Sequence, residues 1–171
     1  MGDSLTEWMP RPVLNNYNLV MAGYSGMGVA HLDYIAQQIM QHHQPQKVWL
    51  CIGINDVWMF DQGQSLHDWE EQFASLCRKI TASGAMLYGS TLMPAEKVGF
   101  GTAINLHWIY EVNKAITRQV ANHQGILVDS FAHFAQADGY LPSGYTDDGV
   151  HLTHATYEKW TPFICESVGI D

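Results

Sequence analysis

With 171 residues, 47% of them hydrophobic, the chain has the length of one domain, residues 1–171, and enough apolar material for a proper core. A formal charge of −9, from 8 Lys+Arg against 17 Asp+Glu, speaks against a nucleic-acid backbone or an anionic membrane surface as partner and for a neutral or weakly charged small molecule. No apolar run is long enough to span a bilayer and no basic-then-apolar leader opens the chain, so a cytoplasmic protein is expected; a periplasmic or secreted one stays open should the start be incomplete.

In chain order, short apolar runs alternate with amphipathic segments, the pattern of an α/β domain with a parallel sheet. A serine turn at Gly2-Asp3-Ser4-Leu5 reads as a strand end entering a helix, and Pro10, Arg11 and Pro12 then break that helix ahead of a strand over residues 17–22. Gly23, Gly26 and Gly28 form a loop. A helix over residues 29–41 carries Leu32, Ile35, Ala36, Ile39 and Met40 at core-facing spacing. Residues 47–53 are nearly all apolar, as in a strand covered on both faces, and deliver Asn55 and Asp56 at its carboxyl end. Ser65 caps a helix over residues 66–83 with Trp69, Phe73, Leu76 and Ile80 inward, and Gly84 stops it. A strand over 85–92, a loop over 94–101, a helix over 103–121 with Ile109, Val112, Ile116 and Val120 inward, and a strand over 126–131 follow. Residues 132–147 are irregular and place Asp148 and His151 on a loop before a last helix, capped by Thr153 and kinked or shortened by Pro162.

Three cysteines, Cys51, Cys77 and Cys165, are too few and too scattered for a disulfide framework and suit a reducing compartment, where they act as small buried hydrophobes. Neither a Cys-x-x-Cys nor a His-Glu-x-x-His pattern is present, so no metal and no cofactor are expected.

Serine is a poor nucleophile at its own pKa, and Ser4 becomes interesting only with a base, an orienting acid and donors for an oxyanion. The chain supplies candidates in four blocks: Gly2-Asp3-Ser4-Leu5, Ala22-Gly23-Tyr24-Ser25-Gly26, Gly53-Ile54-Asn55-Asp56 and Asp148-Gly149-Val150-His151. Any one block alone is weak; their order and completeness carry the argument. Together they resemble the SGNH, or GDSL, family of serine ester hydrolases, across almost the whole chain.

That resemblance implies a three-layer α/β/α sandwich with a flavodoxin-like parallel sheet, whose strand ends gather the four blocks on one rim. It implies Ser4 as nucleophile, His151 as general base and acid, Asp148 as the holder of the imidazole, and an oxyanion hole of the Ser4 and Gly26 N–H groups with the Asn55 amide. Asp148 is preferred to its neighbour Asp147 by its spacing from His151. Asp3 and Asp56 are expected to hold turns. Two departures stand out: only Met1 precedes the serine turn where members carry a central apolar strand, and Met21 stands where many have asparagine. The missing strand should leave two neighbours unpaired, unless the chain starts late or another segment or a second copy fills the gap.

The expected activity is hydrolysis of a carboxylic ester through an acyl-serine, with an open site suited to short, acetyl-type acyl groups. Trp8, Trp58 and Tyr145 are candidate pocket walls, and the loop over residues 94–102 is the expected variable wall. An acyltransferase of the same fold, a non-catalytic carbohydrate- or partner-binding module, and a homo-oligomer all stay open.

Overall fold

Three parallel strands, β1 (Lys47–Leu50), β2 (Met86–Ser90) and β3 (Ile126–Val128), lie side by side in that order in the computed structural model, which describes residues 1–10 and 19–170. Lys47 pairs with Met86 and Leu50 with Gly89, while Tyr88 pairs with Ile126 and Ser90 with Val128. Seven helices are described around them: α1 (Ser4–Glu7), α2 (Val29–His43), α3 (Ile54–Phe60), α4 (Leu66–Ala82), α5 (Leu106–Asn122), α6 (Ser130–Phe134) and α7 (His154–Val168).

Strand alternation sorts the side chains into two cores and so into three layers. Val48, Leu50 and Leu87 point into a core shared with α2, α3, α4 and α5, and Trp49, Tyr88 and Val128 into a second one shared with α1, α6 and α7. The stripes expected on α4 and α5 are buried throughout, and each such side chain contributes about 1.5–3 kcal/mol by leaving water. On α2, Leu32, Ala36 and Met40 are buried, with Ile35 and Ile39 packed at the margin.

The first strand position is held by two residues. The Met1 amine donates to Trp49 O at 2.6 Å and Cys51 N donates to Met1 O at 3.0 Å. On the other side Gly2 N donates to Ala22 O at 3.0 Å and Tyr24 N to Gly2 O at 3.1 Å. These bridges insert Met1-Gly2 between Gly23 and Cys51 and give the sheet the flavodoxin-like order expected of it. The strand expected over residues 17–22 is absent from its described part, 19–22, because a ladder needs a partner and Met1-Gly2 offers one only at Gly23; Arg11, Pro12, Tyr17 and Asn18 lie outside the described residues. Beside this short bridge is a cavity of about 740 Å³ walled by Leu19, Met21, Ile39, Val48 and Ile164.

Several boundaries differ from the sequence reading, each for a local reason. The segment expected as one strand over 126–131 stops at Val128, because Asp129 caps α6 by accepting from Ala132 N at 3.0 Å. Residues 99–103 form a 3₁₀ turn, and α5 starts later, at Leu106, where Asn105 accepts from His107 N. The strand expected over 47–53 ends at Leu50, and Asn55 and Asp56 after it lie in a helix that the sequence reading does not mark: Gly53, at φ +127°, turns the chain straight into α3. The last helix runs on through Pro162 to Val168 without being shortened.

Candidate functional site

Ser4 is the first residue of α1, which the Asp3 cap creates. The buried Asp3 carboxylate accepts from Leu5 N at 3.0 Å, and Asp3 O accepts from Thr6 N and Glu7 N. Three of the four leading amides of this helix are thereby satisfied; among the described residues the Ser4 N–H is left over. Burial pushes the Asp3 carboxyl up to about 7, with the nearby Asp56 charge adding to the effect.

His151 meets Ser4 from the far end of the chain. Its Nε2 lies 3.0 Å from Ser4 Oγ, and its Nδ1 lies 2.7 Å from Asp148 Oδ2. The other carboxylate oxygen, Asp148 Oδ1, accepts from Val150 N at 3.0 Å and His151 N at 2.9 Å, so the loop is folded onto the acid that holds its own histidine. Burial alone would raise the Asp148 carboxyl, but the His151 ring and these two amides outweigh it and hold it below the usual range. Asp147 meets His151 through its backbone, its N–H donating to His151 O at 2.8 Å.

The second and third blocks sit together. Gly26 adopts φ +74°, a left-handed conformation suited to glycine, and the amides on either side of it are committed: Ser25 N donates to Glu7 Oε2 at 2.7 Å and Met27 N to Tyr24 O at 3.2 Å. The Gly26 N–H is again left over among the described residues. Asn55 Nδ2 donates one hydrogen to Met27 O at 3.0 Å, which fixes the amide next to the Gly26 turn and leaves its second hydrogen uncommitted among the described residues. Asp56 is structural, but it holds the start of α2 and not its own turn, accepting from Val29 N at 3.0 Å. A β-carbon on Gly28 would collide with that carboxylate.

Glu96 is the residue that sequence reasoning missed. Only 7% exposed, its carboxylate accepts from Gly144 N at 2.7 Å, Tyr145 N at 3.1 Å, Thr146 N at 2.9 Å and Thr146 Oγ1 at 2.8 Å. Burial works against the charge, yet these four donors together keep the carboxyl below its ordinary value. Thr146 Oγ1 in turn accepts from Gly149 N at 2.9 Å, and Glu96 N donates to Gly149 O at 2.9 Å, so Glu96 staples the loop that carries Asp148 and His151. A single acid in Leu92-Met93-Pro94-Ala95-Glu96-Lys97 gave no hint of burial. The loop expected as a pocket wall therefore also braces the Asp148 backbone, where Phe100 N donates to Asp148 O at 2.7 Å.

The three aromatic candidates part company. Trp8 stacks on the His151 ring. Tyr145 faces α7, where its hydroxyl accepts from Lys159 Nζ at 2.9 Å, and Trp58 packs against the core of the α2 to α5 layer. Among the described residues no group of three or more His, Cys, Asp or Glu side chains is placed to hold a metal ion, and no helix is long and apolar enough to cross a membrane.

Compared with known proteins, residues 1–159 match the model of the GDSL-like lipase/acylhydrolase family. A GDSL-like lipase from Bacteroides thetaiotaomicron superposes with a TM-score of 0.87 at 19% identity, covering 99% of this chain and 85% of the other. An acetyl xylan esterase from Geobacillus stearothermophilus gives 0.76 at 18% identity, over 99% and 93% of the two chains. A psychrotrophic esterase from Pseudoalteromonas sp. gives 0.71 at 14% identity, over 99% and 94%. At such identities the likeness speaks for the fold. No curated protein matches the chain.

Proposed function

The chain belongs to the GDSL-like lipase/acylhydrolase family and is an ester-cleaving hydrolase; from that premise we propose that it works through Ser4, His151 and Asp148 by way of an acyl-serine, on esters of short, acetyl-type acids. The observation that carries the proposal is the chain of contacts from Ser4 Oγ to His151 Nε2, 3.0 Å, and from His151 Nδ1 to Asp148 Oδ2, 2.7 Å.

In the first half-reaction Ser4 Oγ attacks the ester carbonyl carbon while His151 Nε2 takes its proton. Asp148, held ionised by its three hydrogen bonds, keeps the Nδ1–H tautomer and so leaves Nε2 as the acceptor. The carbonyl oxygen becomes an oxyanion, and the uncommitted N–H groups of Ser4 and Gly26 with the second Asn55 hydrogen are its donors. Collapse of this intermediate breaks the bond to the alcohol, which leaves with the proton from His151. Water then repeats the sequence: His151 takes its proton, the hydroxide adds to the acyl carbon, and Ser4 Oγ departs with that proton.

The short-acyl preference draws support from the exposure of Phe100, whose N–H donates to Asp148 O beside the site and whose ring offers contact without enclosure, and from the acetyl xylan esterase among the structural relatives. A series of p-nitrophenyl esters from acetyl to octanoyl tests it: kcat/KM should fall with chain length, and a maximum at octanoyl would remove it. Treatment with a reactive phosphonate should add one phosphonyl group to wild type and none to Ser4→Ala.

A further inference from the structure

Two hydrogen bonds hold the His151 ring, one at each nitrogen, where the donor and acceptor directions of an imidazole lie in its plane. Such a pair fixes where the nitrogens are but resists tipping about the line joining them only weakly, since a hydrogen bond weakens slowly over the first tens of degrees. Against the face of that ring lies Trp8. Its indole is stacked on the imidazole with ring centroids 4.2 Å apart and planes 26° from parallel.

The placement follows from the sequence of α1. Trp8 is four residues after Ser4 and its N–H donates to Ser4 O at 2.9 Å, so its side chain and Ser4 Oγ leave the same face of one helical turn. One short helix thereby presents both the hydroxyl that meets Nε2 and the surface that meets the ring face. A stacked indole also favours a positive ring through its quadrupole, and His151 carries a positive charge during each proton transfer.

We propose that Trp8 is a positioning residue for His151: it holds the imidazole plane in line with Ser4 Oγ and stabilises the ring while it is charged. The proposal rests on His151 being the base. It differs from a role as substrate wall, because a wall acts on ester binding and depends on the acyl group, whereas a positioned base acts on turnover whatever the acyl group.

The experiment compares wild type, Trp8→Leu, Trp8→Phe and Ser4→Ala on p-nitrophenyl acetate and butyrate, with each Tm recorded. Trp8→Leu should lose about 10-fold in kcat on both esters with KM within about twofold, and phosphonylation of Ser4 should slow by a similar factor. Trp8→Phe, which restores a ring face, should recover most of the loss. If the change falls on KM and differs between acetate and butyrate, Trp8 is a substrate wall and the proposal is overturned. Unchanged kinetics in Trp8→Leu, or a Phe variant no better than Leu at equal Tm, also overturns it. Should Ser4→Ala keep wild-type activity, the serine mechanism itself has failed, an outcome separate from any of these.

Discussion

Glu96→Gln isolates the staple beneath the Asp148–His151 loop. The glutamine has the same shape, but only one of its terminal atoms accepts. Placed where Oε2 now lies, its oxygen keeps the bonds from Tyr145 N, Thr146 N and Thr146 Oγ1, while its NH2 faces the Gly144 N–H that Oε1 now receives. Three charge-assisted bonds become neutral ones and one buried donor is left without an acceptor. With hydrogen bonds to charge worth about 1.5–3 kcal/mol against about 1 for neutral ones, and an unsatisfied buried group costing about 1–3, the loss is at least about 2.5 kcal/mol. For a chain of this size that lowers Tm by at least about 5 °C. Urea unfolding at pH 7 measures it directly, and kcat should fall alongside, because Thr146 and Gly149 hold the loop from which Asp148 and His151 project. The native carboxyl lies below its usual range, so Glu96 contributes fully above the unfolded value of about 4.3 and loses its contribution as pH falls through the native one. The gap between wild type and variant should therefore close in acid. A variant within about 0.5 kcal/mol of wild type at pH 7 would refute the staple.

Asn55→Ala removes the one side-chain donor proposed for the oxyanion and should cost on the order of 10²–10³ in kcat, with KM little changed; a loss under about threefold would take Asn55 out of the oxyanion hole. Asp3→Asn keeps an oxygen for Leu5 N but removes a charge that burial disfavours. With the native carboxyl at about 7 and an unfolded one of about 3.9, the native state binds more protons in between, so Asp3 costs wild type stability as pH rises through that window. The variant should gain on wild type between pH 4 and pH 8, on the order of 4 kcal/mol by urea unfolding, and a difference independent of pH would contradict this.

Much of the fold was legible because the signals were local. Ser65 and Thr153 cap α4 and α7 as their positions suggest, and the buried stripes of α4 and α5 follow the helical period. What escaped depends on partners distant in sequence. Residues 19–22 carry apolar side chains suited to a strand, but a strand exists only against a neighbour, and Met1-Gly2 is too short to be one beyond Gly23. Asp129 ends β3 by capping α6, a choice between two local structures that Val128-Asp129-Ser130 leaves open on its face. The candidate site was legible in its blocks, two of which are compact turns with their own caps: Asp3 for Ser4, Asp148 for His151. Glu96 was not, since its four donors come from residues 48 to 50 positions away. The relation of Trp8 to His151 spans nearly the whole chain and was equally invisible.

The central claim is that Ser4 Oγ is the nucleophile, and hydrolysis of p-nitrophenyl acetate by wild type and by Ser4→Ala, both shown to be folded, tests it most directly. Wild type should turn over with acetate carried transiently on Ser4, and the variant should fall to the solution rate or within a small factor of it. Equal turnover by the two proteins would contradict the account and place the chemistry elsewhere on the chain.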